Sequence, residues 1–292
     1  ARVFAETRLG LTLRDDEVEL EDAEPFDADG LRAYLTREQL VSAGLEDKPE
    51  QSKEQVKKAV SLSGHLPDNL MMQEKINEWD LVAGEVTDRI IELGGESIDS
   101  ETVALQIGEI TLTATLPWIE GGDRLLLWRP AVCKEKDEMR LWLYHLCASV
   151  QKGGPVETRG IFIKAKEVVE VEVVDLAPIN EPMEELKRIV THYLRGHCTP
   201  QLLHARLGLK LLKSQYKKSG KQPPVLHPLP EEARQNVWNA LWESGQYTND
   251  YAFSKDPYVQ WFWPESPELD AWWPALESLY RPAIECLINF QQ

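Results

Sequence analysis

The stretch with the most definite chemical bias is Lys187 to Lys221, which holds nine Lys and Arg and no Asp or Glu. Lys210, Lys213 and Lys217 recur at three- and four-residue spacing with Lys218 beside them, which on a helix lines up ammonium groups along one face. Such a stripe offers contact to phosphates without reading of bases, and a solvated helix face is the bland alternative. Lys164 and Lys166 make a second, smaller charged spot at the tip of an expected hairpin. The whole chain carries a formal −17, so the part outside the basic stretch carries −26 and repels a polyanion. Any DNA contact is therefore expected as a local patch. Other chemistry is harder to assemble. His192, His197, Cys198 and His204 lack the paired short spacings that close a four-ligand zinc site. Gly220-Lys221 is followed by Gln222, and Gln215 stands where a phosphate loop needs its leading glycine. No Ser/His/Asp or Cys/His constellation is legible, so neither metal nor cofactor is expected.

The elements that position these residues are read from periodicity. Val103, Leu105 and Ile107, then Ile110, Leu112, Ala114 and Leu116, alternate with polar residues as half-buried strands do. Gly108-Glu109 and Gly121-Gly122-Asp123 close the two hairpins, and Asp123–Val132 forms the third strand. After Val132 the period changes to that of a helix, with Met139, Trp142, Leu143, Leu146 and Cys147 on one face. Upstream, Asn69 to Leu93 reads as an amphipathic helix stopped by Gly94-Gly95. Asp29 to Leu31 opens a short helix, and the capping-box spacing Thr36 to Gln39 predicts a second one starting at Thr36. Downstream, Arg159–Ile163 and Val168–Val174 read as strands, Glu181–Leu194 as a helix, and Leu202–Tyr216 as a longer helical run. The linker Ser219–Pro224 precedes a helical end with six tryptophans, Trp238, Trp242, Trp261, Trp263, Trp272 and Trp273, expected to pack inside the domain or at a subunit interface.

The strand-strand-strand-helix run resembles the heart of the PD-(D/E)xK nuclease fold. In that pattern the second strand carries an Asp and the third ends in Asp-x-Lys, because a divalent metal needs oxygen ligands and the attacking water a neighbouring cation. Here Ala114-Thr115-Leu116-Pro117 and Leu127-Trp128-Arg129 occupy those places. Pro117 and Leu127 have no side-chain oxygen, and Arg129 stays protonated, so the catalytic set is degenerate at all three positions. The glutamine of a following Gln-x-x-x-Tyr motif is Arg140, while Tyr144 remains. Glu24-Pro25-Phe26, the Gly64-His65-Leu66-Pro67 loop, Trp128-Arg129-Pro130 and Leu141-Trp142-Leu143 together resemble the RecC C-terminal domain family. That resemblance covers nearly the full length and thins after about Arg188.

The fold expected is α/β: a restriction-endonuclease-like core of mixed sheet flanked by helices, with helical additions at both ends. Residues 1–60 are expected as an acidic, helical lead-in, including the solvated acidic stretch Asp15–Asp29. The nuclease-like core then spans 61–221, and a Trp-rich helical part packed on it spans 222–292. The start, Ala1 to Gly10, reads as the last turns of a helix, as in a fragment of a longer chain. Four widely spaced cysteines without a Cys-x-x-Cys pair, and no apolar run near the ~20 residues that span a bilayer, suit a cytoplasmic protein with reduced thiols.

The resemblance implies a non-catalytic domain of exodeoxyribonuclease V, the RecBCD helicase-nuclease, with RecB-type and RecD-type subunits as partners and double-stranded DNA ends and single-stranded DNA as ligands. It further implies that such a domain helps split duplex ends on a stiff wedge, for which Lys164 to Glu167 or Gly64 to Asp68 are the candidates. Two rivals remain at this point. One is an active nuclease with ligands rearranged among Glu74, Glu78, Glu120 and Asp123, although Glu74, Glu78 and Glu85 read first as solvated helix positions. The other is a docking scaffold that never touches DNA.

Overall fold

A computed structural model describes residues 1–13, 30–63, 66, 69–119, 121, 123–164, 170–217, 224–243 and 253–288. Helix α1 (Arg2–Arg8) comes first, then α2 (Gly30–Gly44) and α3 (Pro49–Leu62). The expected break at Thr36 is absent. Thr36 is buried in the interior of a continuous α2, and no Pro or Gly interrupts the ladder there, so the capping-box spacing falls mid-helix. Helix α4 (Leu70–Glu92) begins where Asn69 Oδ1 accepts from the Met72 backbone N–H at 2.9 Å. It stops at Gly94, whose φ of +75° is the left-handed conformation that glycine adopts without a Cβ clash.

The central sheet follows as β1 (Ile98–Ile107), β2 (Ile110–Ile119), β3 (Arg124–Val132), helix α5 (Glu135–Lys152), β4 (Glu157–Ile163) and β5 (Val171–Asp175). Its strand order is β1-β2-β3-β4-β5. β1 and β2 pair antiparallel along their whole length, from Ile98 opposite Ile119 to Ile107 opposite Ile110. β3 pairs parallel with β4, joined by α5 as the crossover, and β4 pairs antiparallel with β5. Between β2 and β3 the one paired position among the described residues is Trp118 opposite Leu125. β3 also bulges between Trp128 and Val132. Arg129 lies in that bulge.

Alternation along β3 feeds two hydrophobic layers. Leu125 joins Leu116, Trp118, Leu141, Trp142 and Leu146 on the α5 side, while Leu126 joins Ile119, Ile161, Ile76 and Val86 on the side covered by α2 and α4. The sheet is therefore covered on both faces at β3 and β4, while Thr102, Ala104, Gln106, Thr111, Thr113 and Thr115 leave one face of the β1–β2 pair exposed; the whole is the mixed α/β architecture expected of the core. Leu66, 8 % exposed, packs in the second layer. The fully buried His145 of α5 stitches helix to sheet, with Nδ1 2.9 Å from the Thr158 hydroxyl and Nε2 3.1 Å from the Ala177 carbonyl. A carbonyl only accepts, so Nε2 carries the proton and Thr158 donates to Nδ1.

Helices α6 (Pro182–Cys198) and α7 (Ala205–Lys213) follow, then two short paired strands, β6 (Tyr216–Lys217) and β7 (Val225–Leu226). α6 runs farther than its periodicity predicts. The run expected from Leu202 to Tyr216 is shorter: the His204 side chain caps its start by accepting from the Arg206 N–H at 3.2 Å, and the chain leaves the helix at Ser214. Helix α8 (Glu231–Glu243), a 3-10 turn at Phe253–Lys255, α9 (Pro257–Phe262), a second 3-10 turn at Leu269–Ala271 and α10 (Trp273–Ile288) complete the chain. Trp238 and Trp242 are buried among Leu207, Leu211, Leu276 and Tyr280, and Trp263, Trp272 and Trp273 pack on that cluster, whereas Trp261 is 59 % exposed. α10 also sends Ala283, Cys286 and Leu287 into the layer beneath α5. The approach of α7 to α10 is close. A Cβ on Gly208 would lie 2.1 Å from the Tyr280 ring, so only glycine fits that helix position.

Candidate functional site

The three degenerate positions fall on different faces of the sheet: Leu116 and Trp118 face the α5 layer, so Pro117 between them turns to the other side, while Leu127 joins the α5 layer and Arg129 sits in the β3 bulge. Leu127 packs against the α5-side hydrophobic layer, and Pro117 is half-buried on β2 opposite Ser100. Neither presents an oxygen, so these positions do not fit the divalent metal that the nuclease fold implies. Among the described residues no group of three or more His, Cys, Asp or Glu is placed to hold a metal ion. Glu74, Glu78 and Glu85 are exposed along α4, and Asp123 is an exposed turn residue that approaches Arg124 at 3.7 Å. Glu120 lies outside the described residues.

Arg129 has a different occupation. Its Nη1 donates to Asp137 Oδ2 at 2.6 Å, and its guanidinium lies 4.9 Å from the centre of the Tyr34 ring on α2. The same Asp137 oxygen accepts from the Lys134 backbone N–H at 3.0 Å, closing the first turn of α5. Asp137 is 7 % exposed. One arginine thus joins helices on opposite faces of the sheet through a charge-assisted bond and a ring contact. Arg37, also on α2, is held below the ordinary arginine range by burial and then by the neighbouring Arg129 charge.

The basic stretch in sequence meets acids in space. The first turn of α5 carries Glu135, Asp137 and Glu138, where negative charge also complements the helix dipole. Glu135 faces Lys210 at 3.6 Å, and Glu138 accepts from Lys213 through both carboxylate oxygens. Burial raises the Glu138 carboxyl above its usual range, with the Lys213 charge opposing that shift. On α6, Lys187 pairs with Glu184 at 2.6 Å and Arg188 with Glu185 at 2.8 Å. Lys217 is exposed on β6, off the helix that its spacing suggested. Lys164 is exposed at the end of β4 and pairs across the hairpin with Glu170 at 2.8 Å. Its pKa is raised by the hydrogen bond to Glu170 and that residue's charge. Lys166, Lys218, most of the Gly64–Asp68 loop and the rest of the Lys164–Glu167 tip lie outside the described residues.

Sequence reasoning missed Tyr34, Arg37 and Asp137. A signal for Asp137 was present in Glu135-Lys136-Asp137-Glu138, an acidic first turn three residues after a helix start. Tyr34 and Arg37 reach the centre only through the packing of α2, which no local pattern announces.

A sequence model of the RecC C-terminal domain matches residues 1–216. The chain belongs to the RecC C-terminal domain family. Among curated proteins, RecBCD enzyme subunit RecC of Escherichia coli (strain K12) is 29% identical over 223 residues, 74% of this chain and 18% of that protein. The chain therefore corresponds to less than a fifth of that relative's length. The family match continues past Arg188, where the motif resemblance thins, to Tyr216. No helix among the described residues is long and apolar enough to cross a membrane.

Proposed function

We propose that this RecC-type domain is a non-catalytic part of a RecBCD helicase-nuclease (exodeoxyribonuclease V), holding DNA ends by their phosphates and docking RecB-type and RecD-type subunits. The observation that carries this reading is the contrast inside one scaffold. The sheet and crossover helix of a nuclease-like core are intact, while Pro117 and Leu127 fill the ligand positions and Arg129 is committed to Asp137 and Tyr34. A scaffold kept without its ligands serves for shape and for charge. The mechanism needs no bond-making step. The β4–β5 hairpin and the Gly64–Asp68 segment, of which Leu66 is buried, are the candidate strand-separating elements.

Two measurements test it. Binding of forked DNA should weaken steeply with added salt, as counterion release requires. The chain should also co-elute with RecB- and RecD-type subunits. Co-elution without any DNA affinity would replace this reading with a docking scaffold.

A further inference from the structure

We propose that a cavity of about 680 Å³, walled by the start of α5, the α6–α7 connection and the Phe253–Val259 segment, binds the phosphates of a single nucleic-acid strand. This rests on the DNA-handling reading above and moves its main contact away from the α7 stripe. Lys134, Lys136, Arg206 and Lys255 line the cavity against only Glu135 and Asp256, in a chain whose formal charge is −17. Both acids are engaged elsewhere: Glu135 faces Lys210 at 3.6 Å, and Asp256 Oδ1 accepts from the Val259 N–H at 2.9 Å. Arg2 also lines the cavity and donates to Glu6 at 2.9 Å. The Arg206 guanidinium lies 5.4 Å from the centre of the Phe253 ring, which holds its plane against the wall. Lys136 and Lys255 are exposed at the rim, free to meet a passing backbone. The remaining wall is apolar, from Leu202, Leu203 and Val259, a surface that suits sugars and base faces better than a bare anion. The volume falls within the roughly 300–1,000 Å³ of small-ligand clefts.

The Lys134–Lys136 wall is continuous with Asp137, so the cavity adjoins the old catalytic centre without using it. Lys210 and Lys213, the strongest candidates from spacing, are the cations that neutralise the acids of this same helix start.

The test is a salt series of oligo-dT binding to the whole chain, to Lys136→Ala/Lys255→Ala, to Lys136→Arg/Lys255→Arg and to Lys217→Ala. Each single-strand phosphate contact contributes about 0.7 to the slope of log affinity against log salt. The double alanine variant should therefore lose about 1.4 of that slope, the arginine variant should keep it, and Lys217→Ala should change it less. Retained slope in the double alanine variant, with loss in Lys217→Ala, overturns the cavity and leaves the DNA reading standing. Absence of binding by the unsubstituted chain at low salt overturns both. Displacement of the strand by millimolar inorganic phosphate, with oligo-dT no tighter than phosphate itself, would overturn the strand assignment in favour of a free anion.

Discussion

Two regions share the first turn of α5 and treat charge in opposite ways. On one side Asp137 binds Arg129 in a closed pair, with 8 % and 22 % of the two side chains exposed. On the other side Lys136 stays at the rim of an open cavity. The sealed centre commits Arg129 to a structural role, and the open rim leaves Lys136 exposed. The difference shows why a run of lysines is a poor guide to a phosphate site. The lysines with the best helical spacing, Lys210 and Lys213, are answered by Glu135 and Glu138 about seventy-five residues away in sequence.

The contrast can be broken most sharply at Asp137. Asp137→Ala removes the partner of Arg129 and the cap of α5 together, and leaves a largely buried guanidinium facing no carboxylate. About 3 kcal/mol of stability should be lost, measured by urea unfolding. A loss below about 0.5 kcal/mol, the range of neutral surface changes, would mean that the centre is not sealed by this pair.

Gly208→Ala tests the contact that fixes α7. Alanine gains about 1 kcal/mol in helix propensity, yet its Cβ meets the buried Tyr280 ring, and overpacking costs typically 1–3 kcal/mol. A net loss of about 1 kcal/mol is expected from these opposing terms. A gain in stability would show that α10 yields freely at Tyr280.

Lys213→Ala should cost about 1 kcal/mol, since Lys213 is 36% exposed and solvent screens the pair. Lys217→Ala, at an exposed β6 position, should change stability by less than about 0.5 kcal/mol. Equal effects of the two substitutions would erase the distinction between paired and free lysines.

The buried His145 provides a pH test of the sealed side. Burial lowers its pKa below the ordinary histidine value, and the Ala177 carbonyl opposes that shift without cancelling it. Its neutral form is therefore the one that folding favours. The stability it contributes is fully present above the unfolded-state pKa of about 6.5 and is lost as pH falls from there through the lowered folded value. His192 is lowered in the same direction, first by burial and then by Arg195 and Arg188. The melting temperature should fall between pH 7 and 5, and His145→Gln should flatten part of that fall while lowering stability at pH 7. A melting temperature that rises on acidification would contradict this assignment.

Much of the architecture was legible because it is written in local periods. β1, β2, β3 and α5 follow from alternation, turn glycines and a change of period, and α4 from its stripe and Gly94. The false break at Thr36 arose because a capping spacing also occurs inside helices, where Thr36 serves only as a buried residue. The helical run expected from Leu202 to Tyr216 was too long at both ends, because the His204 cap and the turn at Ser214 are set by the backbone and leave no mark in the apolar spacing. That Pro117 and Leu127 carry no side-chain oxygen could be read residue by residue. The Tyr34–Arg129–Asp137 clasp and the cavity could not, because α2, α5, the α6–α7 connection and the segment before α9 meet only on folding.

The most direct test of the central claim combines binding and cutting in one sample. End-labelled forked DNA is incubated with the whole chain at low salt with Mg²⁺ and, separately, Mn²⁺, while complex formation and strand length are followed together. The account predicts a salt-sensitive complex with every strand intact. Metal-dependent cleavage that co-purifies with the chain and disappears on chelation would contradict it, since Pro117, Leu127 and Arg129 could then not mark a silent centre.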